Sequence, residues 1–399
     1  MKKVLSLVLT VMMITVVGIT AGFSAVASSL VAVPLHFLGQ MAFSGFGPGF
    51  AFASIISGEP ITFNGKEATE GIILPAFEKP ALSLFHTILQ DIVAGEQVAF
   101  LPRINKITRL DAGCGTGIQS KALTPTEKNW APKKLKIWLQ QCADDLEATF
   151  FVWGLNKGIA RKDLTNTDFL DYILEIMPDG IMEDALRIAW LGDTAENVFG
   201  SGGHLLAAGD VPDYTQLTGF WAKMIAGVVG TTIQRVTISE NGNATFALQA
   251  LASGKALTVF KGLLTGNTDS RLKSAPDKII LCTTSLFENW LEYKESLAID
   301  SSFVRQDKGF QTDTYRGVTI IAVDLWDRYL QADFQDGTKW YLPHRAVLTT
   351  KSNLQIGLDT AGITELKSYL DDTTELHNIK GGYKMDVQIP YDFMCKVAY

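Results

Sequence analysis

The chain has 399 residues, of which 47% are hydrophobic, 10% aromatic and 19% charged, enough for one large or two ordinary domains with a substantial core. Its formal net charge is -7, and no basic stripe with interleaved aromatic residues runs along the sequence, which argues against a nucleic-acid-recognition protein. The mean hydropathy of +0.15 and the low charged content are typical of a protein that buries surface against copies of itself.

Residues 1–27 have the organisation of a secretory signal peptide. Two lysines precede an apolar run, and Ala25-Val26-Ala27 forms a small-x-small cleavage pattern. The run is marginal for a membrane-spanning helix, which needs roughly 20 residues. A second apolar, glycine-rich stretch follows within 28–66 and predicts an extended or membrane-seeking arm. Taken alone, the leader predicts export.

The next segments predict helices around a long connection. Apolar positions at helical spacing predict a helix over 81–94 that ends at Gly95. Residues 96–133 are polar and extended, and nearly forty residues without a core pattern exceed an ordinary connection, so we expect a functional or interacting loop. The stretch "KKLKIWLQQCADDLEATFFVWGLNKG" over 133–158 predicts an amphipathic helix closed by Gly158.

A long helix is predicted over 165–193. Asn or Thr residues at its start can act as the cap, and Gly192 is placed to end it. Pro178 falls inside the pattern and should kink the helix, because proline removes one backbone hydrogen bond and clashes with the preceding turn.

The second half of the chain mixes helices and strands. Helices are predicted over 214–229 and 240–264, and 277–297 predicts a buried strand that runs into a helix with Ser285 as a candidate cap. Strands are predicted over 315–326, 328–343, 345–359 and 381–399, with Asp336-Gly337 as a hairpin turn. The chain is therefore predicted to be α+β, with a long loop, long helices and then a mixed sheet domain.

The string "RLDAGCGTG" over 109–117 resembles the glycine loop of S-adenosylmethionine-dependent methyltransferases. That loop follows a buried strand and opens a helix, whereas here an alternating, exposed-looking strand precedes it and Pro125 and Pro132 follow. Because the strand–loop–helix frame is missing, the glycines are better explained as a sharp turn within a long loop.

Isolated polar residues do not form a predicted site. Four cysteines, none at C-x-x-C spacing, are expected to be free, half-buried thiols: Cys114, Cys142, Cys282 and Cys395. His377 is expected to be exposed on a polar turn, without a metal partner at ligand spacing. The adjacent pairs Asp144-Asp145 and Asp371-Asp372 point to different faces of their elements and make poor catalytic dyads.

Three further patterns have structural explanations. His344-Arg345 has no serine or cysteine nucleophile in an elbow pattern nearby in sequence. The glycine-rich "FGSGGHLLAAGD" over 199–210 follows a helix instead of opening one, so it is unsuited to hold phosphate. Six aromatic residues are more simply core or interface packing: Phe150, Phe151, Trp153, Phe169, Tyr172 and Trp190. We therefore predict no enzyme, with no catalytic residue, no cofactor and no metal site.

Several blocks in order resemble the major capsid proteins of tailed bacteriophages (Caudoviricetes), in particular those of the crAss-like phages and their relatives that infect Bacteroidetes. They include "VAFLPRINKITRLDAGCG", "TEKNWAPKKLKIWLQQCADDLEATFFVWGLNKGIARKDLT", "DALRIAWLGDTA", "YTQLTGFWAKM", "DKIILCTTSLFENW" and "DGTKWYLPHRAVLTTKSNLQIGLD". The resemblance runs from about Glu67 to Tyr399, and "LDAGCG" belongs to the family's pattern inside the long loop.

The resemblance implies the Hong Kong 97-type capsid fold. It assigns segments in chain order: 28–66 as the N-terminal arm, 67–95 as the start of the peripheral domain, 96–133 as the extension loop, 134–204 as the peripheral domain with its spine helix over 165–192, 205–345 as the axial domain, and 346–399 as terminal strands that return to the peripheral domain. No catalytic residue is expected in such a protein.

The implied partners follow from assembly. The resemblance implies a homo-oligomer of hexamers and pentamers in an icosahedral virion shell, assembled in the bacterial host cytoplasm. A portal, scaffold or decoration proteins, and packaged double-stranded DNA bound without sequence specificity are the other expected partners. The leader 1–27 departs from this picture; a pro-region removed at maturation or a retained arm with transient membrane contact is favoured over export. A secreted or surface-bound structural protein is the alternative, and a methyltransferase is a distant third.

Overall fold

The computed structural model describes residues 61–63, 68–100, 126–159, 166–297, 305–307, 309–359, 364–371, 373–374 and 376–399. Helices and strands alternate irregularly over these ranges, as predicted for an α+β chain. The leader 1–27, most of the arm 28–66 and the "RLDAGCGTG" string lie outside the described residues. The predictions made for those segments are therefore not addressed by the fold.

The described strands and helices are numbered separately in chain order. The strands are β1 Ile61–Phe63, β2 Thr87–Leu89, β3 Gln97–Phe100, β4 Thr126–Asn129, β5 Lys133–Cys142, β6 Gln234–Val236, β7 Lys278–Cys282, β8 Arg305–Asp307, β9 Phe310–Tyr315, β10 Val318–Ala322, β11 Ala346–Thr350, β12 Gln355–Leu358, β13 Thr364–Asp371, β14 Leu376–Gln388 and β15 Lys396–Ala398. The α-helices are α1 Leu74–Glu78, α2 Pro80–Ser83, α3 Ala143–Asn156, α4 Asn166–Leu191, α5 Val211–Tyr214, α6 Phe220–Val229, α7 Lys255–Leu264, α8 Ser270–Ser274, α9 Thr284–Ser296 and α10 Asp324–Ala332.

A six-stranded sheet is built around the long strand β14. Its strand order is β1-β13-β14-β12-β2, and β5 also pairs with β14. The β5–β14 ladder is antiparallel over ten residue pairs, from Leu376 opposite Cys142 to Met385 opposite Lys133. One face of this sheet is buried; Tyr383 of β14 makes an edge-on contact with Phe77 of α1 at 6.0 Å between ring centroids.

A seven-stranded mixed sheet has the order β6-β15-β11-β7-β10-β9-β8. Its central strands β7 and β10 are parallel, as expected for strands joined through a helical crossover, here α9. Helices α7 and α9 pack their apolar faces on this sheet around Phe260, Phe287, Ile280, Ile320 and Leu348, which are all fully buried. These side chains form a contiguous apolar core between the helices and the sheet.

The predicted long helix is confirmed as α4, with Pro178 inside it. It ends at Leu191, where Gly192 makes a close approach to the chain that leads into α6. A Cβ at Gly192 would lie 2.6 Å from the carbonyl oxygen of Leu217, and a Cβ at Gly219 would lie 2.7 Å from that of Ala189. Both glycines are therefore required by packing, since any side chain would push the two helices apart.

The predicted helix over 133–158 is wrong in its first half. Residues 133–142 form the strand β5, and only α3 is helical. Leu135, Ile137 and Leu139 occupy alternate positions and so share one face of a strand, and the ladder with β14 satisfies the backbone groups of this segment. Gly158 does end the helical segment, with a φ of 79°.

The predicted helix over 81–94 is also wrong. The described structure has only the short helix α2, followed by β2, which pairs in parallel with β12. Thr87 and Ile88 are β-branched, and their partner strand provides the hydrogen bonds that a helix would otherwise supply. Tertiary pairing thus overrides the helical spacing of the apolar residues.

Two predictions in the second half need correction. Within 240–264 only α7 is an α-helix, because the segment before it is held by buried side-chain amides described below. Residues 324–332, partly predicted as strand, form the amphipathic helix α10 that buries Trp326 and Leu330. The turn at Asp336-Gly337 is present, with Gly337 at a φ of 85°, but strands flank it only as an isolated bridge between Gln335 and Trp340.

Candidate assembly surfaces

The cysteines behave as expected of free thiols where they are described. Cys282 and Cys395 are buried and Cys142 is exposed at the end of β5. Burial raises the pKa of the Cys282 and Cys395 thiols, which keeps them protonated and unreactive. Cys114 lies outside the described residues. None of the described cysteines, histidines and acids forms a cluster that could hold a metal ion.

His377 was predicted to be exposed, and this is wrong. It lies within β14 and its side chain is buried on the inner face of the sheet, 3.3 Å from the Ser368 hydroxyl on β13. Burial lowers the pKa of His377 to about 4, because a charged imidazole would lose its hydration there. The polar residues around His377 suggested a turn, but in the structure His377 is the second residue of the strand β14.

This buried histidine predicts an acid-sensitive fold. The folded-state pKa of about 4 lies below the unfolded value of about 6.5, so between these pH values the native state binds fewer protons than the unfolded state. The contribution of His377 to the unfolding free energy is therefore full above pH 6.5 and is lost as the pH falls toward 4. The shift corresponds to about 3 kcal/mol. We expect the unfolding free energy of the His377→Gln variant, measured between pH 4 and 7, to depend less on pH than that of the wild type. Equal slopes would contradict this.

A buried polar network surrounds His344, and sequence reasoning missed it. The His344 Nδ1 atom lies 2.8 Å from the Ser285 hydroxyl, and its Nε2 atom lies 2.7 Å from the carbonyl oxygen of Gln249. The carbonyl can only accept, so Nε2 carries the proton and Nδ1 accepts from the serine. The serine belongs to the first turn of α9, 59 positions from His344 in sequence, so no local motif could have revealed the pair.

Ser285 is not the helix cap that the sequence predicted. The N-cap residue is Thr283, and the backbone amides of Thr284 and Ser285 donate to the carboxylate of Asp327 on α10 at 2.6 and 3.3 Å. Burial raises the pKa of Asp327 to about 6, against these hydrogen bonds. A carboxylate from another helix thus does the capping, which joins α9 to α10.

The same network fixes the irregular segment 241–249. Asn241 exchanges hydrogen bonds with the backbone of His344, at 2.8 and 3.0 Å. The side chain of Gln249 exchanges a second pair with the backbone of Trp340, both at 2.9 Å. These buried amides tie the segment to the backbone of residues 340–344, so the Ser285–His344 pair is embedded in a structural network rather than open to a substrate.

The glycine-rich segment 199–210 is closed by an internal carboxylate. The buried Glu196 accepts hydrogen bonds from the backbone amides of Asn197 and His204, at 3.0 and 2.6 Å. Burial opposes the charge, but these bonds and the His204 side chain lower the pKa of Glu196. A Cβ at Gly203 would lie 1.9 Å from the carbonyl oxygen of Asn197. The Glu196 carboxylate therefore accepts hydrogen bonds from the backbone amides that a phosphate would need as donors.

Aromatic residues form the centre of the helical layer, as predicted for Trp190. Its ring lies against His86, Phe220, Trp221 and Trp326, with ring centroids 4.5 to 6.0 Å apart. The Trp190 indole donates to His86 Nε2 at 2.9 Å, and His86 Nδ1 lies 2.8 Å from the carbonyl oxygen of Leu82. Burial lowers the pKa of His86 to about 3, so the imidazole stays neutral and accepts from the indole.

A second aromatic cluster joins α3 to α4. Phe150 is fully buried, and Tyr172 contacts it edge-on at 5.6 Å between centroids. Trp153 also contacts Tyr172, and its indole donates to Glu175 at 3.0 Å. Phe169 belongs to α4, but its side chain lies outside the described residues. These contacts orient α3 so that the opposite side of this helix faces away from α4.

The outer side of α3 is apolar. Val152 is 58% exposed and Leu155 is 64% exposed, and their spacing of three residues places them side by side on the helix. We call this pair the α3 apolar face. Leu139 on β5 and Ile176 on α4 are also about half exposed. Neighbouring elements of the chain thus carry large apolar side chains in water, which marks a candidate interaction surface.

The segment before β5 starts as a hairpin that is separate from both large sheets. β3 and β4 pair antiparallel, from Gln97 opposite Asn129 to Phe100 opposite Thr126, in a sheet of two strands. Isolated two-stranded hairpins are marginal in water without further packing. Residues 101–125 between the paired strands lie outside the described residues.

Further apolar side chains are exposed on the other half of the chain, at Leu206, Val229, Leu248 and Leu297. Val229, at the end of α6, is 80% exposed. Within the described ranges no helix is both long enough and apolar enough to cross a membrane.

No family model matches the sequence, and no curated protein matches it. Solved structures are similar to it at low identity. The chain resembles one from the satellite phage P4 procapsid that includes the size determination (Sid) protein, with 10% identity over 83% of this chain and 98% of the other, at a TM-score of 0.47. A chain from Gordonia phage Cozz is 11% identical over 80% and 86%, at 0.45. The cyanophage A-1(L) capsid is 11% identical over 80% and 92%, at 0.44.

Proposed function

We propose that the chain is the major capsid protein of a tailed bacteriophage and that it has the Hong Kong 97-type fold. Its ordered sequence blocks resemble those of the crAss-like phages and related phages of Bacteroidetes, and the structural relatives named above come from phages. The role is structural, not enzymatic. The Ser285–His344 pair is tied into a buried network, in which His344 Nε2 donates to the backbone carbonyl of Gln249.

The observation that carries the proposal is the exposed apolar surface along the segment that follows the hairpin. β5 has ten residues, most of them exposed, and the α3 apolar face comes directly after it. A subunit that works alone would leave these side chains in water at a cost, whereas neighbouring copies would bury them. The hairpin base at β3–β4 agrees with an extension loop over 96–133 that finds its packing on another subunit.

The segments would then have the following roles. Residues 28–66 form the N-terminal arm, 67–95 and 134–204 the peripheral domain, and α4 its spine helix. Residues 205–345 form the axial domain. Of the terminal segment 346–399, the strands β12 to β14 return to the peripheral domain, whereas β11 and β15 pair within the seven-stranded sheet of the axial domain. Their position in one sheet with β2 and β5 supports the assignment of β12 to β14, because this sheet joins these C-terminal strands to the earlier segments.

In this proposal the subunits assemble in the host cytoplasm into hexamers and pentamers of an icosahedral shell around double-stranded DNA. A portal and scaffold or decoration proteins complete the partners, and the leader 1–27 is a pro-region or a retained arm that contacts the membrane transiently. Its signal-like pattern favours the alternative of a secreted or surface-bound structural protein.

Negative-stain microscopy and size-exclusion chromatography of the expressed full chain test the proposal. We expect closed shells, or the rings and curved sheets that are parts of them. A stable monomer would overturn it. Mass spectrometry of the N-terminus separates the alternatives, because export predicts that the mature chain starts at Ser28, with secreted monomers or fibres in place of shells.

A further inference from the structure

The strand pairing of the six-stranded sheet places lysines from three strands on the same face. Trp138 of β5 lies opposite Lys380 of β14, and Lys380 lies opposite Lys367 of β13. Directly opposite residues share a face, and so do alternate residues along a strand. The lysine face is defined by Lys134, Lys136, Trp138, Lys367, Lys380 and Lys384.

This face is open to solvent at β5. Lys134, Lys136 and Lys367 are exposed, and Trp138 is 49% exposed. The Lys136 ammonium lies 3.7 Å from the centroid of the Trp138 ring, and the Lys380 ammonium lies 4.7 Å from it. Each such contact is worth about 0.5–1 kcal/mol at an exposed site. The indole on β5 therefore lies between two ammonium groups, one from β5 and one from the neighbouring strand β14.

Three described carboxylates border the lysine face, and one of them is Asp386, which follows Lys384 on β14 and pairs with Lys223 at 3.7 Å. Asp359 pairs with Lys384 at 2.9 Å, and Asp371 stands at the end of β13. Lys134 and Lys384 are directly opposite each other, and Lys380, which donates to the Tyr369 hydroxyl, lies opposite Trp138 beside Lys136. Like charges opposite each other destabilise a sheet. Such a concentration, in a chain whose net charge is -7, indicates an anionic partner.

We propose that the lysine face binds the phosphate backbone of double-stranded DNA without reading its sequence. All five cations are lysines, whose flexible ammonium groups act as point charges toward phosphate. Packed protein interfaces favour arginine and are depleted in lysine, so an acidic protein surface is the weaker partner. A flat sheet face inserts nothing into a groove, which limits its contacts to the backbone. The choice of DNA among polyanions rests on the proposed function.

No basic stripe is visible in the sequence, which argues against a nucleic-acid partner of the recognition type. The lysine face is invisible in the sequence because its members come from 134–136, 367 and 380–384, and only strand pairing joins them. Binding of this kind is electrostatic, so its affinity should fall steeply with salt.

The test measures fluorescence anisotropy of a short labelled DNA duplex with the full chain, over a series of salt concentrations. The duplex is added before assembly, so that either side of a shell is accessible to it. For the triple variant K134Q/K136Q/K380Q we expect at least about tenfold weaker binding at low salt, and a slope of log K against log salt that is smaller by about 3, one unit per phosphate contact. The matched control K261Q/K273Q/K339Q removes three lysines outside this sheet and should bind like the wild type.

Microscopy of the same samples separates this inference from the proposed function. If the protein forms shells but shows no salt-dependent DNA binding, the proposed role of the lysine face is wrong and the capsid role stands. The same follows if both triple variants lose DNA affinity equally. A K134Q/K136Q/K380Q variant that binds DNA normally but no longer assembles would show that the face is an interface between copies, which also overturns the inference. Circular dichroism of each variant verifies that it is folded.

Discussion

Under the proposed capsid function, replacing Val152 and Leu155 by glutamate should abolish shell assembly while the subunit stays folded. Both side chains are more than half exposed in the single chain, so charges at these positions meet water and cost the subunit little. In a shell the same positions would be covered by a neighbour. Burying one such aliphatic side chain contributes about 1.5–3 kcal/mol, and burying a carboxylate without a partner is strongly unfavourable.

The expected size of this effect is large because a shell repeats every contact. A loss of about 3 kcal/mol at one interface weakens that contact by about two orders of magnitude, and each subunit of a closed shell makes the contact with its neighbours. We therefore expect no closed particles in negative stain, and a small species on the sizing column with the circular dichroism spectrum of folded protein.

The matched control is Asn156→Glu, which adds an acid to the exposed end of the same helix, beside the α3 apolar face. This variant should assemble like the wild type, because it removes no apolar contact. If Val152→Glu/Leu155→Glu still formed normal shells, the α3 apolar face would not be an assembly surface. If it failed to fold, the milder pair Val152→Ser and Leu155→Ser would separate assembly from folding.

The fold class was predictable because its main elements carry strong local patterns. The helix α4 has a polar start, apolar residues at helical spacing and a glycine that packing requires, and β7–α9 combines a buried apolar run with an amphipathic helix. Their preferences and their tertiary contacts agree, which makes such elements readable from sequence.

The errors arose where long-range pairing decides the structure. In β5, Leu135, Ile137 and Leu139 lie at alternate positions, but Trp138 fills the gap between two of them and a helix follows directly, so the whole stretch 133–158 has a pattern compatible with one helix. The paired strand β14 is more than 230 positions away, and its hydrogen bonds favour the extended form. The segment 241–249 was predicted as helix for a similar reason, because the amides of Asn241 and Gln249 hold it through contacts with residues near 340.

The candidate surfaces differ in how much of them the sequence reveals. Val152 and Leu155 lie in one helix, but only the structure shows that Phe150 and Trp153 take the side toward α4 and leave the other two outside. The lysine face could not be predicted at all without the register of three strands. His377 shows the opposite case, in which polar neighbours in sequence concealed a buried position.

Replacing Trp190 by alanine should destabilise the subunit by about 3–5 kcal/mol, the usual cost of removing a buried aromatic side chain. Trp190 is fully buried among Phe220, Trp221 and Trp326, so the deletion leaves a cavity that these rigid rings cannot refill. It also leaves Nε2 of His86 without its donor, and an unsatisfied buried polar atom costs about a further 1–3 kcal/mol. The total is a large part of the 5–15 kcal/mol that a typical domain possesses.

The matched control is Trp138→Ala, the same substitution at the half-exposed indole of the lysine face. The half-exposed ring loses partial packing, cation–π contacts and a 3.4 Å hydrogen bond to Asn378 there, so we expect a loss of about 2 kcal/mol or less. Urea denaturation of both variants on the Val152→Glu/Leu155→Glu background measures unfolding of the subunit rather than of a shell. Similar losses at the two positions would contradict the aromatic core around Trp190, because burial is the main difference between the two tryptophans.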